Sequence, residues 1–202
     1  RPEERERFLD EIFAKCNIQI SVKTRLGMED ASGFPELMKL YNKFPMKELI
    51  IHPRVQKDFY KNTPNLEMFA EAFAMSTNPV CYNGDIFCVE DHQRICERFP
   101  ELDAVMSGRG TLTNPALARE IRGGQALTKA ELRKFHDLVY HTYRAEVSGD
   151  RNVLFKMKEL WFYMGPLFAN NKKYLKKIKK SEKCIVYESA VAELFSNEEL
   201  IL

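Results

Sequence analysis

Hydrophobic positions in the front of the chain alternate between two spacings. Some recur every three to four residues, as on one face of a helix, and others form short uninterrupted apolar runs. The helix-type patterns cover residues 8–13, 34–41, 66–73 and 89–99, and the apolar runs are Ile18–Val22, Glu48–His52, Asn78–Asn83 and Asp103–Ser107. Since the two patterns alternate about every 25 to 30 residues, they predict an α/β fold of four βα units around a parallel sheet.

The pattern changes after Gly123 and Gly124, a pair typical of a helix stop. Residues Thr128–Glu131 have the sequence of a capping box, which predicts the start of a helix. Its apolar side is predicted to carry Leu132, Phe135, Leu138, Val139 and Thr142. Further helical patterns lie near residues 152–163 and 188–195, and no strand pattern follows residue 124. We therefore expect two domains, the βα units at 1–124 and a small all-α domain at 125–202.

The composition narrows the class of protein. With 45% hydrophobic and 30% charged residues, 202 residues can bury a sizeable core, which excludes a disordered chain. No uncharged apolar stretch is long enough to span a membrane, and residues 1–13 lack the apolar segment of a signal peptide. The five cysteines have irregular spacing without a Cys-x-x-Cys pair, so we expect reduced, mostly packed thiols and no metal site. The expectation is a soluble protein of the cytoplasm.

Charge is distributed unevenly along the chain. Residues 1–124 carry 17 Lys and Arg against 19 Asp and Glu, whereas residues 125–202 carry 14 against 10. Seven lysines lie between residues 172 and 183, and six of them recur at helical spacing, so many share one flank of a helix. Such a face could follow the phosphate backbone of an RNA, or it could be a solvated surface without a partner.

Polar residues and glycines follow each of the four apolar runs. The sets are Lys23 with Arg25, His52 with Arg54, Asn83-Gly84-Asp85 and Gly108-Arg109-Gly110. In (β/α) barrels this end of the strands forms the active face. Glycines there let the backbone approach a phosphate, although a strand-to-helix turn often needs glycine for its own geometry. The repetition at successive strands favours a phosphate-bearing cofactor.

Lys23 and His52 are the candidates for contact with the ring of such a cofactor. A cation at the end of an apolar strand is costly unless it meets an anion or an electron-rich ring. Lys23 could therefore stabilise negative charge on a reduced flavin, or form a salt bridge with Asp85 or Asp103. His52 could bond a cofactor or satisfy a neighbouring backbone group.

Four segments together resemble the tRNA-dihydrouridine synthase family, in that family's order and at its approximate spacing. They are Ser21–Gly27 (SVKTRLG), His52-Pro53-Arg54 with Tyr60, Asn83–Ile86 (NGDI), and Met106–Gly110 (MSGRG) with Asn114-Pro115. The resemblance extends more loosely through Lys156–Trp161 (KMKELW), which is similar to a basic, aromatic segment of the family's helical domain.

The resemblance implies an FMN-dependent (β/α)8 barrel followed by a helical tRNA-binding domain. Members reduce the C5–C6 double bond of uridine in tRNA, taking hydride from NADPH through FMN. Carried over to this chain, it implies flavin contacts by Lys23 and His52, and ribityl phosphate contacts by Asn83, Gly84, Asp85, Gly108 and Arg109. It places Arg25, Arg54 and Tyr60 near the uridine, and Lys156, Lys158, Lys172, Lys173 and Lys176 against the RNA.

The chain also departs from the family pattern. His52 is followed by proline where glycine is commoner, and Gln56 stands where many members have a second arginine. The first four barrel strands are not found, nor is their Asn-x-Gly-Cys-Pro motif, whose cysteine is the general acid. Cys16 and Cys81 are not credible substitutes, so we expect no catalytic residue in this chain. The sequence therefore predicts the second half of a TIM barrel, left as an open sheet or closed by its missing half, a partner or a second copy.

Two alternatives stay open from the sequence. The chain could be a flavin-free remnant that binds structured RNA or an assembly partner through its helical domain. It could also belong to another FMN barrel, such as a relative of dihydroorotate dehydrogenase, although a small pyrimidine substrate has no use for the basic helical tail.

Overall fold

The computed structural model describes residues 2–201, which form two compact units. The first unit contains residues up to 85 together with 90–107, and the second contains 86–89 together with residues from 108 onward. Among residues 2–201 there is no helix with both the length and the apolarity needed to cross a membrane.

The first unit is built on a four-stranded sheet whose order follows the chain, β1-β2-β3-β4. All three neighbouring pairs are parallel, as the alternating pattern predicts. The strands are β1 (Ser21–Gly27), β2 (Glu48–Val55), β3 (Val80–Tyr82) and β4 (Ala104–Val105). The helices are α1 (Pro2–Lys15), α2 (Phe34–Tyr41), α3 (Leu66–Met75) and α4 (Val89–Arg98). Parallel neighbours need a crossover, and α2, α3 and α4 supply one between each pair of successive strands.

One face of this sheet packs on the helices. Leu49 and Ile51 of β2 and Tyr82 of β3 share this face through their register and are almost completely buried. The ring of Phe69 on α3 meets the ring of Tyr82 edge-on at 5.0 Å between centroids, and it meets Phe99 in the same manner at 5.0 Å. Burying each such side chain stabilises the fold by roughly 1.5–3 kcal/mol. The helix-facing side of the sheet is therefore the core of the unit.

The opposite face of the sheet carries the polar residues. Side chains alternate between the two faces along a strand, and Cα partners in a parallel pair share one face. The register pairs Lys23 with Ile50, Ile50 with Cys81 and Arg25 with His52, so these residues lie together on the face away from Ile51. This alternation explains why the apolar runs can end in charged residues without disturbing the core.

The second unit is helical. Its helices are α5 (Arg109–Thr113), α6 (Leu117–Ile121), α7 (Lys129–Glu146), α8 (Asp150–Met164), α9 (Lys172–Lys180) and α10 (Cys184–Asn197). The unit begins near residue 108 rather than at the predicted boundary after residue 124. The reason is that Ala116 and Leu127 pack into the same core as α7, α8 and α10. The glycine pair still marks a turn, with Gly123 at φ +77°.

The capping box of α7 forms as predicted. The Glu131 backbone N–H donates to the Thr128 hydroxyl at 3.2 Å, and the Thr128 backbone N–H donates to the Glu131 carboxylate at 2.9 Å. Arg119 also donates to this carboxylate at 2.7 Å. These bonds, the one from Arg119 first, lower the pKa of Glu131 to about 2. The helix start is thus tied to the segment before it.

The buried side of α7 agrees in part with the predicted one, since Phe135 and Val139 pack against the core of the unit. Leu132 is buried, but Leu138 is 68% exposed, and the positions that follow Leu132 in the core are His136 and Tyr140. These three residues are spaced four apart, which keeps them on one helix face. A buried histidine was not predicted because imidazole is polar, and its burial depends on partners from other helices.

Those partners form a directed chain of hydrogen bonds through the core. His136 Nδ1 lies 2.8 Å from an Asp137 carboxylate oxygen, and its Nε2 lies 2.6 Å from the Tyr187 hydroxyl. The Trp161 indole N–H donates to that same hydroxyl oxygen at 2.7 Å. The Asp137 carboxylate only accepts, so the neutral His136 ring carries its proton on Nδ1 and its Nε2 accepts from the Tyr187 hydroxyl. The same hydroxyl oxygen accepts the Trp161 N–H. Every polar atom of this network has a partner.

We expect Tyr187→Phe to lower the free energy of unfolding by about 2–3 kcal/mol, because it leaves the Trp161 N–H and His136 Nε2 buried without partners. Chemical denaturation followed by tryptophan fluorescence measures this change. Tyr143→Phe is the matched control, since Tyr143 also packs against this core but its hydroxyl has no hydrogen bond within residues 2–201. Equal, small losses in both variants would contradict the network.

Candidate functional site

Charged side chains converge where the strands of the first unit end. We call this group the strand-end cluster, and it consists of Lys23, Arg25, His52, Arg54 and Asp85. Lys23 and Arg25 come from β1, His52 and Arg54 from β2, and Asp85 from the turn after β3. Lys23 and His52 lie within their strands rather than just past the strand ends, as the pattern predicted, because β1 and β2 continue to Gly27 and Val55. The carboxyl ends of parallel strands meet at one edge of a sheet, so residues far apart in sequence are brought together here.

The centre of the cluster is an ion pair between the buried Arg54 and the half-buried Asp85. The Arg54 side chain is 1% exposed, and both of its terminal nitrogens donate to the two carboxylate oxygens of Asp85, one of them at 2.9 Å. A bidentate pair of this kind fixes both side chains in orientation as well as in distance. Removing one partner of such a pair leaves a buried charge, which is far more destabilising than the pair is stabilising.

The same guanidinium makes two further contacts. Its Nε donates to the backbone carbonyl of Asn62, in the loop after β2, and its Nη1 lies 3.2 Å from His52 Nε2. Arg54 thus joins its own strand, the loop that follows it and the turn after β3. The resemblance placed Arg54 near a uridine, but these bonds direct its polar atoms to groups of the unit itself.

His52 is a neutral imidazole at physiological pH. Burial lowers its pKa to about 4, and the positive charges of Arg25, Lys23 and Arg54 act in the same direction, opposed by Asp85. Its ring also lies beside the aromatic ring of Tyr60, at 6.2 Å between centroids. The cluster therefore holds a neutral histidine among three cations and one carboxylate.

Lys23 and Cys81 share the polar face of the sheet. Partial burial, followed by the nearby Arg25 guanidinium, lowers the pKa of Lys23. Burial and the Glu48 carboxylate raise the pKa of the Cys81 thiol to about 11. Cys81 is buried, as its position within a strand predicts, and stays protonated. In the described part of the chain Lys23 has no salt bridge with Asp85, whose carboxylate is bound to Arg54.

Arg25 and Tyr60 lie next to each other at the edge of the cluster. The Arg25 guanidinium carbon is 5.7 Å from the centroid of the Tyr60 ring, and its Nη1 donates to the Val55 carbonyl at 3.0 Å. Tyr60 is 53% exposed. The structure therefore brings together two of the residues that the resemblance places near the substrate, and it sets them beside His52.

The turn after β3 is shaped by packing inside the unit. The Asn83 side-chain amide donates to the Met106 carbonyl at 2.7 Å, which ties this turn to the end of β4. A Cβ added at Gly84 would lie 1.9 Å from the Tyr82 hydroxyl, so the close approach of Tyr82 alone requires glycine there. The side chains of Asn83 and Asp85 are thus bound within the unit, which leaves the backbone as the part of this turn that could contact a phosphate.

Gly108 and Arg109 belong to the second unit. Gly108 precedes α5, and a Cβ added there would meet nothing within 4 Å, so packing inside the unit does not require this glycine. The Arg109 guanidinium lies 5.3 Å from the centroid of the Phe87 ring.

The lysines of α9 project from one helix surface. Lys172, Lys173, Lys176, Lys177, Lys179 and Lys180 are exposed, whereas Tyr174 and Ile178 are buried. On α8, Lys156 is exposed, while Lys158 donates to the Ser181 carbonyl at 2.6 Å. Lys177 pairs with Glu193. The predicted RNA-contacting lysines therefore lie on two helices of one unit, where Lys158 is bound to Ser181 and the Lys173 ammonium lies 4.5 Å from the centroid of the Tyr174 ring.

The pairing of Arg54 with Asp85 was not predicted from the sequence. The two residues are 31 positions apart, and each had a different predicted role. A signal was nevertheless present, because an arginine inside a strand that is otherwise buried needs an anion nearby.

We expect His52 and His136 to titrate near pH 4, because burial is the main cause that lowers both pKa values. In the unfolded chain both bind a proton near pH 6.5, so the folded state binds fewer protons between about pH 6.5 and 4. Stability is therefore full above this window and falls as the pH drops through it. NMR titration of the four histidines checks this. Loss of one low-pH midpoint in His52→Gln assigns it, and a His52 midpoint near 6.5 would contradict the burial argument.

Several curated proteins are similar to this chain. The tRNA-dihydrouridine(16) synthase of Shewanella oneidensis is 35% identical over 105 residues, covering 52% of this chain and 33% of the relative. That of Pseudomonas syringae pv. tomato is 31% identical over 109 residues, 54% of this chain and 34% of the relative. That of Vibrio parahaemolyticus is 24% identical over 174 residues, 83% of this chain and 52% of the relative. The chain thus spans about a third to a half of the length of these relatives.

The model of one protein family, described as dihydrouridine synthase, matches residues 1–198. The match runs through the strand-end cluster and through the helical unit, and it confirms the resemblance seen in the four motifs. Because it covers nearly the whole chain, the chain belongs to the dihydrouridine synthase family.

Proposed function

We propose that this chain provides the flavin-contacting strands and the RNA-binding helices of an FMN-dependent, NADPH-driven tRNA-dihydrouridine synthase. The observation that carries the proposal is the strand-end cluster, which gathers Lys23, Arg25 and a neutral His52 at the carboxyl end of parallel strands. Cations and N–H donors at this end of a sheet suit an electron-rich ring that gains negative charge on reduction.

The donor set of the first unit fits the ring of a flavin. Lys23 is a cation without a salt bridge in the described residues. Its lowered pKa shows that its surroundings destabilise the charged ammonium, which an anionic ligand would stabilise. Lys23 and His52 would hold the pyrimidine part of the ring, and Arg25 and Tyr60 would lie toward the uridine. When bound, FMN supplies the hydride-transfer chemistry between NADPH and the uridine C5–C6 bond.

For the phosphate end of the cofactor, we assign the backbone of the turn at Asn83, Gly84 and Asp85 rather than its side chains. The side chains of Asn83 and Asp85 are already bound to Met106 and Arg54. Gly108 and Arg109 stay a prediction from the resemblance.

The four parallel strands are proposed to be strands five to eight of the family's (β/α)8 barrel, with β1 and β4 as the strands that would meet the other half. The general-acid cysteine is proposed to lie in that other half. Cys81 does not replace it, because this thiol is buried and its pKa is raised to about 11. In this proposal the chain binds and orients the flavin, while the proton donor is the cysteine of the other half of the barrel.

The helical unit is proposed to bind tRNA through its lysines on α8 and α9. Five exposed lysines of α9, those at 172, 173, 176, 179 and 180, have no carboxylate partner within residues 2–201. Exposed, unpaired cations on one helix can release counterions from a phosphate backbone, which is the main driving force for binding RNA without base readout.

We expect the chain to bind FMN saturably, and Lys23→Ala to weaken binding about tenfold, because it removes one charge-assisted hydrogen bond. Titration of FMN followed by the flavin absorbance band measures the Kd. Lys47→Ala is the matched control, since this exposed lysine lies just before β2, at the other end of the sheet.

Absence of FMN binding at millimolar concentration, with circular dichroism showing a folded chain, would contradict the flavin assignment. Binding of RNA by that same flavin-free chain would instead favour a remnant that serves as an RNA-binding module.

We expect the triple variant Lys172→Gln, Lys173→Gln, Lys176→Gln to bind tRNA more weakly and with a shallower salt dependence. Each lost phosphate contact reduces the slope of log K against log salt by about 0.7–0.9, so the triple change reduces it by roughly 2–3. Fluorescence anisotropy across a KCl series measures both quantities.

The control removes three lysines of the first unit, at positions 15, 39 and 43, each of which already pairs with a glutamate. If the two triple variants lose affinity equally, the effect is one of net charge and the α9 surface has no specific role.

A further inference from the structure

The contact between Arg54 and His52 determines where the histidine carries its proton. Arg54 Nη1 lies 3.2 Å from His52 Nε2. A guanidinium has donors only and does not lose its charge in a protein, so Nε2 must be the acceptor. A neutral imidazole that accepts at Nε2 has its proton on Nδ1.

Arg54 is held in place by groups other than His52. Its two terminal nitrogens are bound to Asp85, its Nε is bound to the Asn62 carbonyl, and the residue is 2% exposed. The guanidinium therefore cannot turn to accommodate the other tautomer of the ring. The ring adapts to the guanidinium instead.

The other ring nitrogen of His52 is not fully shielded from solvent, although the residue as a whole is only 7% exposed. Nδ1 has no hydrogen bond within residues 2–201, yet no fully buried side-chain nitrogen or oxygen in that range lacks a partner. Nδ1 is therefore accessible from outside. It lies on a ring that shares the sheet face of Arg25 and adjoins Tyr60.

We propose that Arg54 is a positioning residue that fixes His52 as the Nδ1–H tautomer, so that the histidine donates a hydrogen bond at Nδ1 to an acceptor atom of the bound flavin. The identity of the acceptor rests on the proposed function, whereas the tautomer itself does not. This role differs from direct contact of Arg54 with the uridine, since the guanidinium acts through His52 and Asp85.

The charges around the ring are consistent with this assignment. Arg25, Lys23 and Arg54 all disfavour a second proton on His52, and Asp85, which favours one, is bound to Arg54. The low pKa of about 4 keeps the ring neutral at pH 7. This matters because the charged ring is protonated at both nitrogens and has no alternative tautomers.

The test is long-range proton–nitrogen NMR of the cofactor-free chain, labelled at histidine nitrogens, at pH 7. We expect the wild type to show His52 with a protonated Nδ1 and a bare Nε2. Arg54→Lys keeps the charge but loses the planar fork, so the ring should shift toward the Nε2–H tautomer that predominates in free histidine. Arg25→Lys is the matched control, because Arg25 contributes charge near the ring without a hydrogen bond to it, and it should leave the tautomer unchanged.

Two results would overturn the proposal. One is a wild-type His52 that carries its proton on Nε2, a result that does not depend on whether any variant folds. The other is a wild-type Nδ1–H tautomer that persists fully in folded Arg54→Lys.

A second measurement connects the tautomer to the cofactor. We expect Arg54→Lys to weaken FMN binding about tenfold, the value of one hydrogen bond that is no longer donated. Equal FMN affinity in wild type and variant, despite a changed tautomer, would overturn the role of Nδ1 as donor. If the wild type binds no FMN at all, the proposed function fails, while the NMR result still decides the tautomer.

Discussion

The ion pair that the buried Arg54 forms with Asp85 is the constraint on which the candidate site depends. A guanidinium that is almost completely shielded from water needs a carboxylate at hydrogen-bonding distance, and Asp85 provides one from the neighbouring strand end. Because the pair is bidentate, the turn after β3 cannot shift relative to β2 without breaking two charged bonds. The geometry of His52 and of the Asn62 loop follows from this single contact.

The two faces of the sheet in the first unit carry different kinds of side chain. The face with Ile51 and Tyr82 packs on helices and stabilises the fold, while the face with Lys23 and His52 carries charge. The helical unit shows the same division on a single helix, since Tyr174 and Ile178 of α9 are buried and its lysines are exposed. In both units the charged side chains lie on the side of the element that does not pack against the core.

Much of this architecture could be predicted from the sequence. The alternation of strands and helices follows from hydrophobic spacing, although β1 and β2 continue past Lys23 and His52 to Gly27 and Val55. The pairing of Arg54 with Asp85 could not be predicted, because it depends on which strand ends become neighbours and not on local spacing. The burial of His136 in place of Leu138 was missed for a related reason, since only the Tyr187 and Asp137 partners make it favourable. The boundary near residue 108 depends on long-range packing of Ala116 in the same way.

The tryptophan whose N–H bonds to Tyr187 is the only one in the sequence. It is buried in the core of the helical unit, so its fluorescence emission reports on the packing of that unit. The phenylalanines and tyrosines around Phe69 give the sheet no comparable intrinsic probe. Unfolding of the helical unit can therefore be followed by tryptophan fluorescence, separately from backbone signals that average over both units.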